Sequence, residues 1–330
     1  MQKTRLLLIA CAIALTGLAA WLFLPPTVNG DAEVSSDPAS IARGQYLVTA
    51  GGCISCHLGS EDESQLSGGL ALETDFGIFY VPNITPDPAT GVGDWEAADF
   101  LLALQHGRTP SGSFYFPAFP YRAYAGLSDN EVLDIAAYLK SLEPVVNQVP
   151  APETPWWLSR LAVAGWNKLA DMQQAPAEEF ANEQVARGAH LARNLGHCGE
   201  CHTPRNALGI PDISREYAGA ELGDQTIEAI DAEALSEWTT ESFDLFLLIG
   251  LKPDDEFAGG DMNDVIEHNT SKLTDADRAA LAAFFTRHRS RKLNSLDLHL
   301  PFVGFKWFFK ISFLTFFIRK FILKSRLFEL

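Results

Sequence analysis

Cys53-Ile54-Ser55-Cys56-His57 and Cys198-Gly199-Glu200-Cys201-His202 are two copies of one spelling, C-x-x-C-H. That pentad is the attachment signal of c-type haem. Its two thiols add to the porphyrin's vinyl groups as thioethers, and the histidine that follows is held under the iron as proximal ligand. The residues therefore predict two covalently bound haem c groups, carried by Cys53, Cys56, Cys198 and Cys201, with His57 and His202 on the irons. A C-x-x-C pair alone would also fit a redox dithiol or half a zinc site. The zinc reading joins four cysteines across the two halves of the chain and leaves both histidines without a role. The dithiol reading leaves them equally unexplained.

The chain has 330 residues, enough for two domains and their extensions. Its fifth cysteine is Cys11, so none is left for structural disulfides. Haem attachment takes place outside the bacterial inner membrane, which predicts an exported, periplasmic chain. Lys3 and Arg5 precede an uncharged apolar run, Leu6 to Leu24, closed by Pro25 and Pro26. That run is long for a signal-peptide core and just sufficient to span a bilayer. Residues 1–30 thus read as a signal anchor with Met1 on the cytoplasmic side, or as a signal peptide cleaved after Leu18-Ala19-Ala20; the anchor is the preferred reading. Cys11 lies too early in the run for lipoprotein processing.

The net charge is −17, yet residues 291–330 hold eight Lys/Arg against two Asp/Glu. An acidic body argues against nucleic acid as a partner and suits docking to a basic protein, with solubility as the plainer explanation. Between the ends lies an internal duplication. Ala42-Arg43-Gly44 matches Ala186-Arg187-Gly188, and a pentad follows each. Trp95 and Phe100 match Trp238 and Phe243, after which an ungapped register pairs Gly107 with Gly250, Pro110 with Pro253 and Phe114 with Phe257. Each copy closes on a helix opened by a capping box, Ser128 with Glu131 and Thr274 with Asp277. The expected fold is all-α, two tandem domains each built around a covalent haem: residues 31–145, a Pro/Trp-rich linker at 146–180, and residues 181–290. Gly44 and Gly188 sit where helices could cross closely, against Tyr138 and Phe284. Trp157-Leu158 and Leu161-Ala162 suggest a short linker helix lying on a surface.

The segments Val81-Pro82-Asn83-Ile84-Thr85-Pro86-Asp87, Gly91-Val92-Gly93-Asp94-Trp95 and Tyr115-Phe116-Pro117-Ala118-Phe119-Pro120-Tyr121 carry a family likeness. In the second copy it lies in residues 196–206 around the pentad and in Phe257-Ala258-Gly259-Gly260-Asp261-Met262. With these motifs the chain resembles tandem class I cytochromes c, in particular the multi-haem cytochrome subunits of bacterial membrane-bound alcohol and gluconate dehydrogenases. Those subunits carry three haems, whereas this chain has two pentads. Its second copy also reads Thr226-Ile227-Glu228-Ala229-Ile230-Asp231 where the first has Asn-Ile-Thr-Pro-Asp.

The resemblance implies a methionine on the far side of each iron. Met262 stands 60 residues after His202 in a glycine-rich loop and is the expected sixth ligand of haem 2, raising its potential. The register sets Phe119, which has no donor atom, opposite Met262. His106 is the leading substitute at haem 1; its rival reading is a helix-end histidine meeting the C-terminal dipole. Tyr115, Tyr121 and Met172 are weaker substitutes, and an open iron is a further alternative. Pro204 is placed to give its carbonyl to the His202 ring. Arg205, Trp95 and Trp238 are propionate partners or, for the tryptophans, core residues.

The tail from Pro301 to Leu330 is rich in Phe, and Lys306, Lys310, Lys320 and Lys324 share a helical face with Phe313 and Phe317. It reads as a second contact with an anionic membrane surface or as an extension without function. The expected function is a membrane-anchored dihaem electron carrier on the periplasmic side of the inner membrane. It would link a dehydrogenase or small donor to a quinone or oxidase acceptor in the respiratory chain. The rivals are a haem catalyst of peroxidase or thiosulfate-oxidising type and a gas sensor, both needing a labile iron at haem 1. No triad, phosphate loop or carboxylate pair marks the polypeptide itself as an enzyme.

Overall fold

A computed structural model describes residues 2–24, 26–59, 65–173, 178–223 and 225–287. The chain divides into two units, Met1–Arg289 and Ser290–Leu330. The second lies outside the described residues, and with it every expectation for the basic tail. α1 (Gln2–Phe23) is one continuous helix with Leu6, Ile9, Ile13 and Trp21 exposed. Several of its side chains, Cys11 among them, lie outside the described residues. Among the described residues no helix is long and apolar enough to cross a membrane, so the expected span finds no counterpart there.

The first copy opens with α2 (Pro38–Ala50), started by a proline whose missing N–H costs nothing in a first turn. The pentad is a short helix, α3 (Cys53–His57), followed by an antiparallel hairpin of β1 (Ala71–Thr74) and β2 (Gly77–Tyr80). Then come α4 (Ala97–His106), α5 (Tyr121–Tyr124) and the closing α6 (Asp129–Ser141). The linker contributes α7 (Arg160–Ala170), capped by the Ser159 hydroxyl. In the second copy the order recurs. α8 (Glu183–His190) runs into a five-residue π-turn, Leu191–Leu195, and on to α9 (Gly199–His202). A hairpin of β3 (Ala220–Leu222) and β4 (Gln225–Ile227), α10 (Thr240–Ile249), α11 (Asp261–His268) and α12 (Asp275–Phe285) complete it.

Backbone bonds repeat along with the elements. α4 and α10 both stop on a left-handed glycine, Gly107 and Gly250. Beyond them Arg108 bridges Phe114 as Leu251 bridges Phe257. The Tyr115 N–H donates to the Gly107 carbonyl, and the Ala258 N–H to the Gly250 carbonyl, each at 2.8 Å. Past that point the copies diverge: four residues of helix in α5 stand against eight in α11.

Two helix crossings set the scaffold. A Cβ built on Gly44 would fall 1.8 Å from the Asp134 carbonyl oxygen of α6 and 2.9 Å from Tyr138 Cβ. One on Gly188 would fall 2.0 Å from the Ala280 oxygen of α12 and 2.7 Å from Phe284 Cβ. Only a residue without a side chain lets these backbones meet, and the partners are those expected from the sequence. Arg43 clamps the α2 crossing through a two-pronged contact with Asp134, at 2.6 and 2.8 Å. Arg187 does the same to Asp277, at 2.8 and 2.7 Å. The second capping box is therefore half made: Thr274 accepts from the Asp277 N–H, while the Asp277 carboxylate serves Arg187 and Tyr46.

The copies pack against each other through two reciprocal contacts. Tyr46 and His190 each lie two residues beyond their crossing glycine, and Glu131 and Asp277 each occupy the third position of a closing helix. The Tyr46 hydroxyl donates to Asp277 at 2.6 Å, and the His190 Nε2–H to Glu131 at 2.8 Å. Apolar packing is shared as well. One buried cluster contains Val48, Phe100 and Val132 from the first copy with Leu191, Leu195 and Phe284 from the second.

Candidate functional site

Each pentad histidine is fixed from two sides. The His57 Nδ1–H donates to the Pro82 carbonyl at 2.8 Å, and the His202 Nδ1–H to the Glu228 carbonyl at 2.7 Å. Both carbonyls lie just beyond a hairpin, so the strands the sequence reading missed are what deliver them. The histidine carbonyls are bound in turn: Gly68 N–H donates to His57 O at 2.9 Å and Gly219 N–H to His202 O at 2.8 Å. Both glycines have positive φ, 72° and 79°. A Cβ on Gly68 would lie 2.4 Å from the Pro82 oxygen, the very atom that holds the His57 ring.

This corrects the expected partner of His202. The Pro204 carbonyl instead accepts from the Asp212 N–H at 2.7 Å. A carbonyl on Nδ1 leaves Nε2 free to take a metal, and neither Nε2 has a hydrogen-bond partner among the described residues. Burial lowers the His57 pKa to about 4, against the opposing pull of the Pro82 carbonyl, and lowers that of His202. Both rings are therefore neutral and able to donate a lone pair at neutral pH.

Burial also pushes the Cys53 and Cys198 thiols up to about 12 and raises those of Cys56 and Cys201. Among the described residues no three of His, Cys, Asp and Glu converge on a metal position. A histidine with Nε2 free, its Nδ1 pinned, and two sulfurs in the same turn is the donor set haem c requires.

On the far side the copies differ. Met262 is the second residue of α11, directly after Gly259-Gly260, and is half-buried. Phe119 lies in an aromatic cluster with Tyr115 at 5.5 Å, Tyr124 at 5.7 Å and Tyr121 at 6.2 Å between ring centroids. His106 is the last residue of α4 and half-buried; burial, with Arg108 nearby, lowers its pKa. Two weaker substitutes are committed elsewhere. The Tyr121 hydroxyl donates to Asn167 at 2.8 Å, and Met172 is 80% exposed. Tyr115 is half-buried.

Arg205 is occupied by Glu200 and the Gly209 carbonyl, and the tryptophans by core rings: Trp95 against Phe100, Trp238 against Phe243 and Phe246. Asn83, buried at 3%, locks the first copy's Asn-Ile-Thr-Pro-Asp segment by accepting from the Thr85 N–H and donating to the Val145 carbonyl. Its place next to Pro82 is the sequence signal that marks the carbonyl on His57.

Comparison with known proteins agrees with this geometry. Residues 41–143 match the family model described as cytochrome c. The chain is 40% identical over 291 residues to a dihaem cytochrome c-type protein of Cereibacter sphaeroides, covering 86% of this chain and 98% of that one. It is 35% identical to the fructose dehydrogenase cytochrome subunit of Gluconobacter japonicus, over 76% of this chain and 53% of the subunit. The cytochrome c subunit of the quinone-dependent alcohol dehydrogenase of Gluconobacter oxydans is 32% identical, over 81% and 59%. The chain thus spans little more than half the length of those dehydrogenase subunits. Two histidine-anchored pentads on a repeated scaffold, with near full-length identity to a dihaem protein, place the chain in the cytochrome c family, whose domain holds haem c by covalent bonds.

Proposed function

We propose that the chain is a dihaem electron carrier, each copy forming one haem domain, that takes electrons from a dehydrogenase and delivers them to a quinone or oxidase of the respiratory chain. The observation that carries this reading is the equivalence of the two proximal sites, each with its Nδ1 pinned by a carbonyl and its Nε2 free. Relatives that are cytochrome subunits of sugar and alcohol dehydrogenases support the donor. Haem supplies one-electron chemistry when bound; the protein orients its axial histidines and sets its surroundings. His57 and His202 are read as the proximal ligands. Met262 is read as the sixth ligand of haem 2, and His106 as that of haem 1, since the Tyr121 hydroxyl is bonded to Asn167 and Met172 is exposed to solvent.

A periplasmic location at the inner membrane fits haem attachment, and the exposed apolar face of α1 and exposed Trp156 and Trp157 support anchorage there. The test is direct. Denatured protein should keep two haems per chain through acid–acetone extraction, and the native protein should sediment with membranes and resist a high-salt wash. One haem per chain, or an extractable one, would reject the dihaem reading; free release of protein whose residues 2–25 are intact would reject the anchor. The alternative of a haem catalyst or gas sensor at haem 1 rests on Phe119 standing where the second copy has a thioether. Carbon monoxide binding by wild-type haem 1 would favour it.

A further inference from the structure

The spacing from crossing glycine to first cysteine is nine residues in the first copy, Gly44 to Cys53, and ten in the second, Gly188 to Cys198. The extra residue is absorbed by the π-turn, closed by the Gly196 N–H on the Leu191 carbonyl at 2.7 Å. As a result, the residue ahead of the first cysteine is Gly52 in one copy, at φ 66°, and His197 in the other, at φ 39°. A histidine is held where the backbone favours glycine, so the surroundings of its side chain must impose the conformation.

Those surroundings belong to the first copy. The His197 ring stands edge-on to the Tyr124 ring at 5.6 Å and 81°, and its Nε2 lies 3.9 Å from where a Gly52 Cβ would be. The Tyr124 hydroxyl donates to the Gly51 carbonyl at 3.0 Å, in a buried position. Asn269 Nδ2 donates to the Ala50 carbonyl at 3.2 Å, also buried. A Cβ on Gly51 would have Leu195 Cδ1 at 3.4 Å on one side and Cys53 Sγ at 3.5 Å on the other. The loop entering each pentad is therefore packed directly on the loop entering the other. His197 and Tyr124 form the wedge between them.

We infer that His197 and Tyr124 are positioning residues for electron transfer between the haems: they fix the separation of the two cysteine-bearing loops and so set the internal transfer rate. The inference rests on the dihaem reading above. Tunnelling between fixed centres falls steeply with distance, and a buried wedge is the local means of holding that distance constant. His197→Gly restores the residue of the first copy at a glycine-favouring φ, so this variant should fold and load haem as wild type does. Tyr124→Phe keeps the ring and removes the hydroxyl with its bonds to the Gly51 carbonyl and the Cys53 sulfur.

The experiment is rapid photoreduction of the two-haem protein, following re-equilibration between the haems, with haem count and midpoint potentials measured on the same samples. The internal rate should fall in His197→Gly, because loss of the wedge lets the two loops change their separation. Tyr124→Phe should show a smaller fall, and both variants should keep two haems and unchanged axial-ligand bands. An unchanged internal rate in His197→Gly with both haems present would overturn the inference while leaving the dihaem reading intact. A slower rate explained wholly by a shifted midpoint potential would overturn it as well. A wild-type protein with one haem would remove the reading beneath it.

Discussion

The two copies agree where they hold the pentad histidine and part in the loop that follows the left-handed glycine of α4 and α10. Around that histidine four features recur: a hairpin, a carbonyl on Nδ1, a left-handed glycine on the histidine carbonyl, and a glycine-mediated helix crossing. After Tyr115 and Ala258 the backbones separate, and a four-residue helix beside an aromatic cluster replaces an eight-residue helix whose second residue is Met262. Anchorage demands several simultaneous hydrogen bonds and tolerates little change. The loop beyond has fewer such obligations, so the copies are free to differ there.

The comparison is broken most severely at the crossings. Gly44→Ala and Gly188→Ala should each cost about 3 kcal/mol or more, because the new methyl overlaps a backbone carbonyl that cannot retreat without moving a helix. Denaturant midpoints would check this, and a copy that accepts alanine freely would show that its helices do not meet as described. Next in size, Met262→Ala should lower one midpoint potential by on the order of 0.1 V, within the ~0.8 V range that axial ligands govern, and should remove the near-infrared band of one haem only. His106→Ala should alter only the other haem, turning it high-spin, as visible spectra would record.

Smaller effects test the reciprocal contacts. Tyr46→Phe should cost about 1.5 kcal/mol by removing a hydroxyl bond to a carboxylate. On its opposite number, burial alone would raise the Glu131 pKa, but hydrogen bonds from His190 and Ser128 outweigh it and bring the value to about 2. A carboxylate depressed in this way contributes in full above its ordinary 4.5 and loses that contribution as pH falls towards 2. Glu131→Gln should accordingly flatten the acid limb of a stability–pH curve between those values. Least of all, Trp156→Ala should shift stability by less than about 0.5 kcal/mol, since that ring is 93% exposed. Its effect should appear instead in partitioning onto vesicles.

Local spelling made the pentads, the capping residues and the crossing glycines legible, because each is specified by residues within a turn or two. Gly44 with Tyr138 and Gly188 with Phe284 could be paired only because the motif occurs twice. The hairpins escaped notice since strands of three or four residues are shorter than the window in which alternation becomes visible. Glu228 as the partner of His202 was hidden for a different reason. Any residue can offer a carbonyl, and which one arrives depends on where the hairpin ends. Pro204 was the nearer choice in sequence but is bound to Asp212. The contacts of Tyr46 with Asp277 and of His197 with Tyr124 join distant segments and leave no local signature, although the extra residue behind the π-turn is countable in the sequence.

Tyr46 facing Asp277 while His190 faces Glu131 is the reciprocity of an isologous contact, the pattern by which two identical subunits form a symmetric dimer. Here both sides belong to one polypeptide, so their pairing does not weaken on dilution, as a dimer's does. A homodimer must also carry every substitution twice, which keeps its two irons equivalent and gives an electron no preferred direction. Covalent linkage lifts that restriction. Phe119 can occupy one half and Met262 the other, while the contact between the halves keeps its reciprocal form.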